Sequence, residues 1–140
     1  MTTRRDFLKV ISAAGGALSV CGMDLGCARA DIVEAGQASD IALGTVKAIV
    51  GTNVFVGRDA SGLYAMSSLC THQGCNMNID GRIWAEAIEC ACHGSKFNLD
   101  GNVNRGPASA PLEHFQLNVD DGTIIVDTSI TVAAASRTPG

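Results

Sequence analysis

The chain is poor in aromatic residues: one Trp, one Tyr and four Phe among 140 positions, or 4%. A small sheet-built core of this kind gains from a staple or a metal. Charge is sparse too, at 17% against 46% apolar residues, which excludes a charge-rich disordered chain and a coiled coil. No basic excess is present: the net charge is -4, and beyond residue 30 six bases face twelve acids. That balance argues against nucleic acid as a partner. The length excludes a large enzyme with its own substrate domain. Beyond residue 30 there is no internal repeat and no apolar stripe of helical period long enough to organise a domain.

What the first 30 residues do contain is a basic start with Arg4, Arg5 and Lys9, an apolar run from Val10 to Val20, and Ala28-Arg29-Ala30 in small-x-small form. This is the pattern of an export signal, and TTRRDFLK resembles the twin-arginine type, whose pathway carries folded, cofactor-loaded cargo. Cleavage leaving Asp31 as the first residue is the expectation. Retention as a membrane anchor is an alternative, although Gly15, Gly16, Gly22 and Asp24 leave fewer than the about 18 to 20 apolar residues that spanning needs. Lipidation at Cys21, in LSVC, is another. The expected location is the periplasm or the outer face of the cytoplasmic membrane.

From Asp31 to residue 130 short β-rich runs alternate with turn signals. Ile41–Val50, Asn53–Gly57, Leu63–Ser67 and Ile83–Cys90 are strand candidates. Phe115–Val119, then Asp120-Asp121-Gly122, then Thr123–Val126 predict a hairpin. Ile32–Ser39 is read as a turn of helix, and residues 131–140, without alternation, as a tail. The expected fold is all-β: a small antiparallel β-sandwich with its chemistry in loops between strands.

The four cysteines beyond residue 30 lie in two stretches, Cys70-Thr-His72-Gln-Gly-Cys75 and Cys90-Ala-Cys92-His93-Gly-Ser95. Cys70 and His72 form C-x-H; Cys90 and His93 form C-x-x-H. Two thiolates and two imidazoles suit either one zinc ion or two sulfide-bridged irons. Cys75 and Cys92 are surplus to a four-ligand zinc site, and one in each stretch suits a bridge between two loops in an oxidising compartment.

CTHQGC followed by CACHGS resembles the paired boxes of the Rieske [2Fe-2S] proteins, nearest to the disulfide-containing type of quinol:cytochrome c reductases and the arsenite oxidase small subunit. The likeness runs from about Ile41 to Asp127 and includes Gly106-Pro107-Ala108. It implies one [2Fe-2S] cluster per chain, with Cys70 and Cys90 on the inner iron, His72 and His93 on the outer iron, and a Cys75–Cys92 disulfide. Neutral imidazoles in place of two thiolates place such potentials at about -150 to +300 mV. The histidines would sit at the exposed tip, taking an electron and, from a quinol, a proton as well. The implied function is one-electron transfer in an exported or membrane-tethered protein, as a subunit of a quinol:cytochrome c oxidoreductase-like complex. The partner would be a cytochrome or a larger oxidoreductase subunit, and the protein would not be catalytic alone. The alternative is the electron-transfer subunit of an arsenite oxidase-like molybdenum enzyme. No second His/His/carboxylate cluster is present to make an oxygenase.

The same resemblance has Ser95 donating its hydroxyl to a bridging sulfide, while Phe97 stands where higher-potential members carry a tyrosine, so one hydrogen bond is missing. Gln73 stands where respiratory members carry a leucine. Gly74 and Gly94 permit tight turns where a Cβ would block approach to the metal. His114, outside both boxes, is read as a non-ligand. Trp84 and Tyr64 are read as sheet or core residues, and Asp80, Glu86 and Glu89 as solvated surface.

Overall fold

The computed structural model describes residues 31–140. The export, anchor and lipidation readings therefore lie outside the described residues. Among those described, no helix is long and apolar enough to cross a membrane.

Among the described residues, ten antiparallel strands make two sheets. Strands β1 (Ile32–Gln37), β2 (Thr45–Ala48), β3 (Val54–Asp59), β4 (Gly62–Ser67), β9 (His114–Asp120) and β10 (Thr123–Val132) form a six-stranded base sheet in the order β1-β10-β9-β4-β3-β2. Strands β5 (Gly81–Ile83), β6 (Ala87–Cys90), β7 (Lys96–Asn98) and β8 (Val103–Arg105) form a second sheet in chain order. A single helical turn, α1 (Met77–Asp80), leads into it.

The centre of the base sheet is buried on both faces, and the period-2 alternation of β3 and β4 divides their side chains between two cores. Val54, Val56, Leu63 and Ala65 pack with Leu117, Ile124 and Val126. Phe55, Tyr64 and Met66 point the other way, onto Met77, Ile88, Phe97 and Leu112 of the second lobe. The first core is aliphatic apart from the partly buried Phe115, whereas the second gathers Phe55, Tyr64 and Phe97, so the few rings are concentrated there.

The β9–β10 hairpin turns at Asp121 and Gly122, both at positive φ (47° and 79°), as a two-residue turn matched to strand twist requires. Three expectations are corrected. Ile32–Ser39 is mostly strand: β1 pairs with β10, with Val33 opposite Val126, and that edge offers its backbone a ladder which a lone helical turn lacks. Ile83–Cys90 is a hairpin, with Ile83 opposite Ile88 and residues 84–86 forming the turn. Trp84 is consequently on that turn and 53% exposed, whereas Tyr64 is in the core.

The third correction concerns residues 131–140. β10 continues to Val132, and the chain then folds back so that Thr138 and Leu63 exchange backbone hydrogen bonds of 2.8 and 2.9 Å. Arg137 holds it there. Its guanidinium lies 4.2 Å from the Tyr64 ring centroid and bridges Asp59 (2.6 Å) on β3 and Asp100 (2.8 Å) beyond β7. Specific polar contacts replace the apolar pattern whose absence suggested a tail. Tyr64 reinforces the same junction. Its ring crosses Gly57, where a Cβ would collide with it, and its hydroxyl donates to the Leu99 carbonyl at 2.7 Å. We expect Arg137→Ala to lower stability by about 1–2 kcal/mol, combining two partly exposed ion pairs with a cation–π contact. Urea unfolding monitored at both lobes measures it.

Candidate metal centre

The two cysteine-histidine stretches are matched loops at one end of the second lobe. In the first, Gly74 N–H donates to the Cys70 carbonyl (2.8 Å) and Cys70 N–H to the Cys75 carbonyl (2.9 Å). In the second, Gly94 N–H donates to the Cys90 carbonyl (2.9 Å) and Cys90 N–H to the Ser95 carbonyl (2.8 Å). Each chain reversal needs a left-handed residue, and Gly74 and Gly94 supply it at φ 74° and 80°. No protein atom lies within 4 Å of a Cβ built at either position. The positive φ at both positions thus gives glycine a conformational reason to be there.

Cys75 and Cys92 form a disulfide across the loops, with Cα atoms 6.6 Å apart. Cys70 and Cys90 keep free thiols and are buried beside it. Burial, together with the hydrogen-bonded Cys70 thiol, pushes the Cys90 thiol above its ordinary range. Two thiolates this close call for compensating positive charge. The His72 and His93 rings meet edge to face with centroids 4.9 Å apart, and among the described residues the buried His72 Nδ1 has no hydrogen-bond partner. His93 is exposed, His72 half-buried. Two sulfur donors inside, two imidazoles outside and one orphaned ring nitrogen fit a metal group between the loops. The Sγ atoms of Cys75, Cys90 and Cys92 also lie within 4.8 Å of one another, but the disulfide removes two of them as thiolate donors.

Segment 106–111 covers the loops from the side. Thr71 Oγ1 donates to the Ala110 carbonyl at 2.6 Å, and the Ala108 N–H donates to Ser95 Oγ at 3.0 Å. Ser95 and Phe97 are fully buried and Gln73 is exposed.

Residues 31–116 match the Rieske [2Fe-2S] domain. The chain belongs to the Rieske family. Its domain is of the disulfide type and takes a [2Fe-2S] cluster. It is 38% identical over 93 residues to the cytochrome b6-f complex iron-sulfur subunit of Chlorobaculum tepidum, covering 65% of this chain and 50% of that one. It is 32% identical over 101 residues to the corresponding subunit of Chlorobaculum thiosulfatiphilum, covering 69% and 53%. The chain therefore spans about half the length of these curated relatives. Among solved structures, a complex of reduced oxygenase and oxidized ferredoxin in carbazole 1,9a-dioxygenase aligns at TM-score 0.54 and 28% identity, over 74% of this chain and 97% of the matched one.

Several residues that shape this Rieske site carry no local sequence signal. Asn76 caps α1 by accepting from Asn78 N–H, accepts from Ser68 Oγ, and donates to Asn53. Asn78 donates to the carbonyls of Ile49 (2.9 Å) and Thr52 (2.8 Å). Together they fasten the segment after Cys75 to the β2–β3 turn. Of the acidic residues, Asp80 and Glu86 are exposed, and Glu89 pairs with Lys96 at 3.4 Å.

His114 lies on β9, buried, its ring centroid 5.9 Å from that of Tyr64, with Arg137 and Asp100 as its charged surroundings. Burial holds its pKa below the ordinary imidazole range, and among the described residues Nε2 has no partner. As pH falls through about 6.5 the unfolded chain takes up this proton first, so stability falls until the folded imidazole titrates as well. We expect His114→Phe to flatten the stability profile just below pH 6.5 without loss of cluster absorbance. Urea midpoints across pH 5–8 measure it.

Proposed function

We propose that Cys70 and Cys90 hold the inner iron through thiolates and that His72 and His93 hold the outer iron through imidazole nitrogens, with Ser95 donating its hydroxyl to a cluster sulfur. The observation that supports this is the pairing of two buried thiols with two facing imidazoles on disulfide-linked loops. The cluster supplies a one-electron couple. The chain does the rest: the loops restrain the ligands, segment 106–111 limits water, and exposed His93 offers the route by which a donor or acceptor can approach.

The chain's place is, in our reading, an exported or membrane-tethered protein of the periplasmic face, delivered by the twin-arginine-type segment in residues 1–30. Its partner is a cytochrome or a larger oxidoreductase subunit, with quinol as donor at a partner's site. The likeness to cytochrome b6-f iron-sulfur subunits supports this reading. Export of the full chain from cells with and without twin-arginine transport, followed by intact-mass analysis and affinity capture, tests it. Recovery with cytochromes supports it; recovery with a molybdopterin protein would replace it with the arsenite oxidase-like reading.

Hydrogen bonds to sulfur stabilise the reduced state. Direct electrochemistry should therefore show a lower potential for Ser95→Ala and a higher one for Phe97→Tyr. An unchanged potential in both would remove the tuning assignment.

A further inference from the structure

Segment 106–111 does more than cover the loops, because it reaches the buried hydroxyl of Ser95. Ser95 is 0% exposed, and its Oγ accepts the N–H of Ala108, itself 4% exposed, at 3.0 Å. The segment is tied twice more just beyond that contact. Ala110 accepts from Thr71 in the first loop, and Leu112 N–H donates to the Gly101 carbonyl at 2.9 Å. Ser95 belongs to the second loop, so the Ala108 amide joins the segment to the opposite half of the metal centre.

A hydroxyl has one hydrogen to give and two lone pairs to receive. The Ala108 N–H occupies one lone pair and excludes the O–H hydrogen from that direction. A buried O–H needs an acceptor, and among the described residues the Ser95 hydrogen meets no protein acceptor. A donated bond into the same oxygen also polarises the hydroxyl and strengthens the bond that it gives.

We propose that the Ala108 amide is a positioning group that commits the Ser95 hydroxyl to donate onto a cluster sulfur, so that segment 106–111 sets the reduction potential through Ser95 and not by excluding water alone. This rests on the placement of the cluster between the two loops proposed above. Ala108 has no polar side chain, and its contribution is invisible to any reading that looks for donor residue types.

The test is a double-mutant cycle on holoprotein, read as midpoint potential by film voltammetry, with electron paramagnetic resonance of the reduced state reporting cluster integrity. Ala108→Pro deletes the N–H; Ala108→Gly keeps it. Ser95→Ala should lower the potential, Ala108→Pro should lower it by no more than that, and Ala108→Pro added to Ser95→Ala should lower it no further. Ala108→Gly should stay at the wild-type value. An equal drop from Ala108→Pro in both backgrounds would overturn the proposal, since the segment would then act without Ser95. An unchanged potential in Ser95→Ala, with the reduced-state resonance intact, would overturn the proposal by showing that the hydroxyl gives the cluster no hydrogen bond, and would leave the ligand set untouched. Should Ala108→Pro not hold a cluster, amide exchange across 106–112 decides. Faster exchange at Ala108 in Ser95→Ala than in wild type supports the bond, and equal exchange refutes it.

Discussion

Cys90→Ser should yield protein without a [2Fe-2S] cluster: iron and acid-labile sulfide at background, and no two-iron resonance on reduction. Cys90 is buried, its thiol is hydrogen-bonded to Cys70, and a serine hydroxyl would not ionise there to replace a thiolate. Losing one of two anionic donors removes charge that no neighbouring side chain can supply. His72→Ala should produce the same loss from the other side, leaving His93 without the ring it faces at 4.9 Å. His114→Phe is the control. Packed on Tyr64 and outside both boxes, it should retain full cluster content. Retention of the cluster by Cys90→Ser or His72→Ala, or its loss in His114→Phe, would contradict the proposed ligand set. Because cluster binding and folding are coupled, the cluster-free variants should also melt below the wild type.

Removing the disulfide should have the next largest effect. Cys75 and Cys92 close a 17-residue separation between the two loops, and a constraint of that length contributes about 3 kcal/mol in the chain-entropy account. For a domain of this size the melting temperature should fall on the order of 10–20 °C in Cys75→Ala/Cys92→Ala. The double substitution avoids leaving one thiol free to compete with Cys90. The variant should still assemble a cluster, since Cys70, His72, Cys90 and His93 remain, but should lose it faster on heating. Calorimetry and the visible absorbance decay measure the two effects separately. A variant that melts with the wild type would show that the loops are held by other contacts, chiefly the Thr71–Ala110 and Ala108–Ser95 bonds.

Much of the site was legible because its chemistry is written in short-range spacing. C-x-H and C-x-x-H need no knowledge of the fold to suggest a metal, and the paired boxes were specific enough to indicate a family. The β9–β10 hairpin was equally legible, since Asp121-Gly122 sits between two alternating runs. Harder to read were elements whose partners lie far away in sequence. β1 is a strand because β10 lies beside it. The hairpin at 84–86 breaks a run that looks continuous. Asn76 and Asn78 are ordinary polar residues until the β2–β3 turn is placed against them.

The sequence alone established a low aromatic content, a net charge of -4, and the gathering of four cysteines and two histidines into two boxes. Local spacing suffices for these, because ligand type and charge travel with the residue. Only the tertiary structure decided what Arg137, Tyr64 and the Ala108 amide do. Arg137 reads as part of a tail until Asp59, Asp100 and Tyr64 converge on it. The Ala108 N–H acquires a role only when segment 106–111 lies over Ser95. Hydrogen bonds and ion pairs of this kind depend on distance in space, and residue composition carries no record of that.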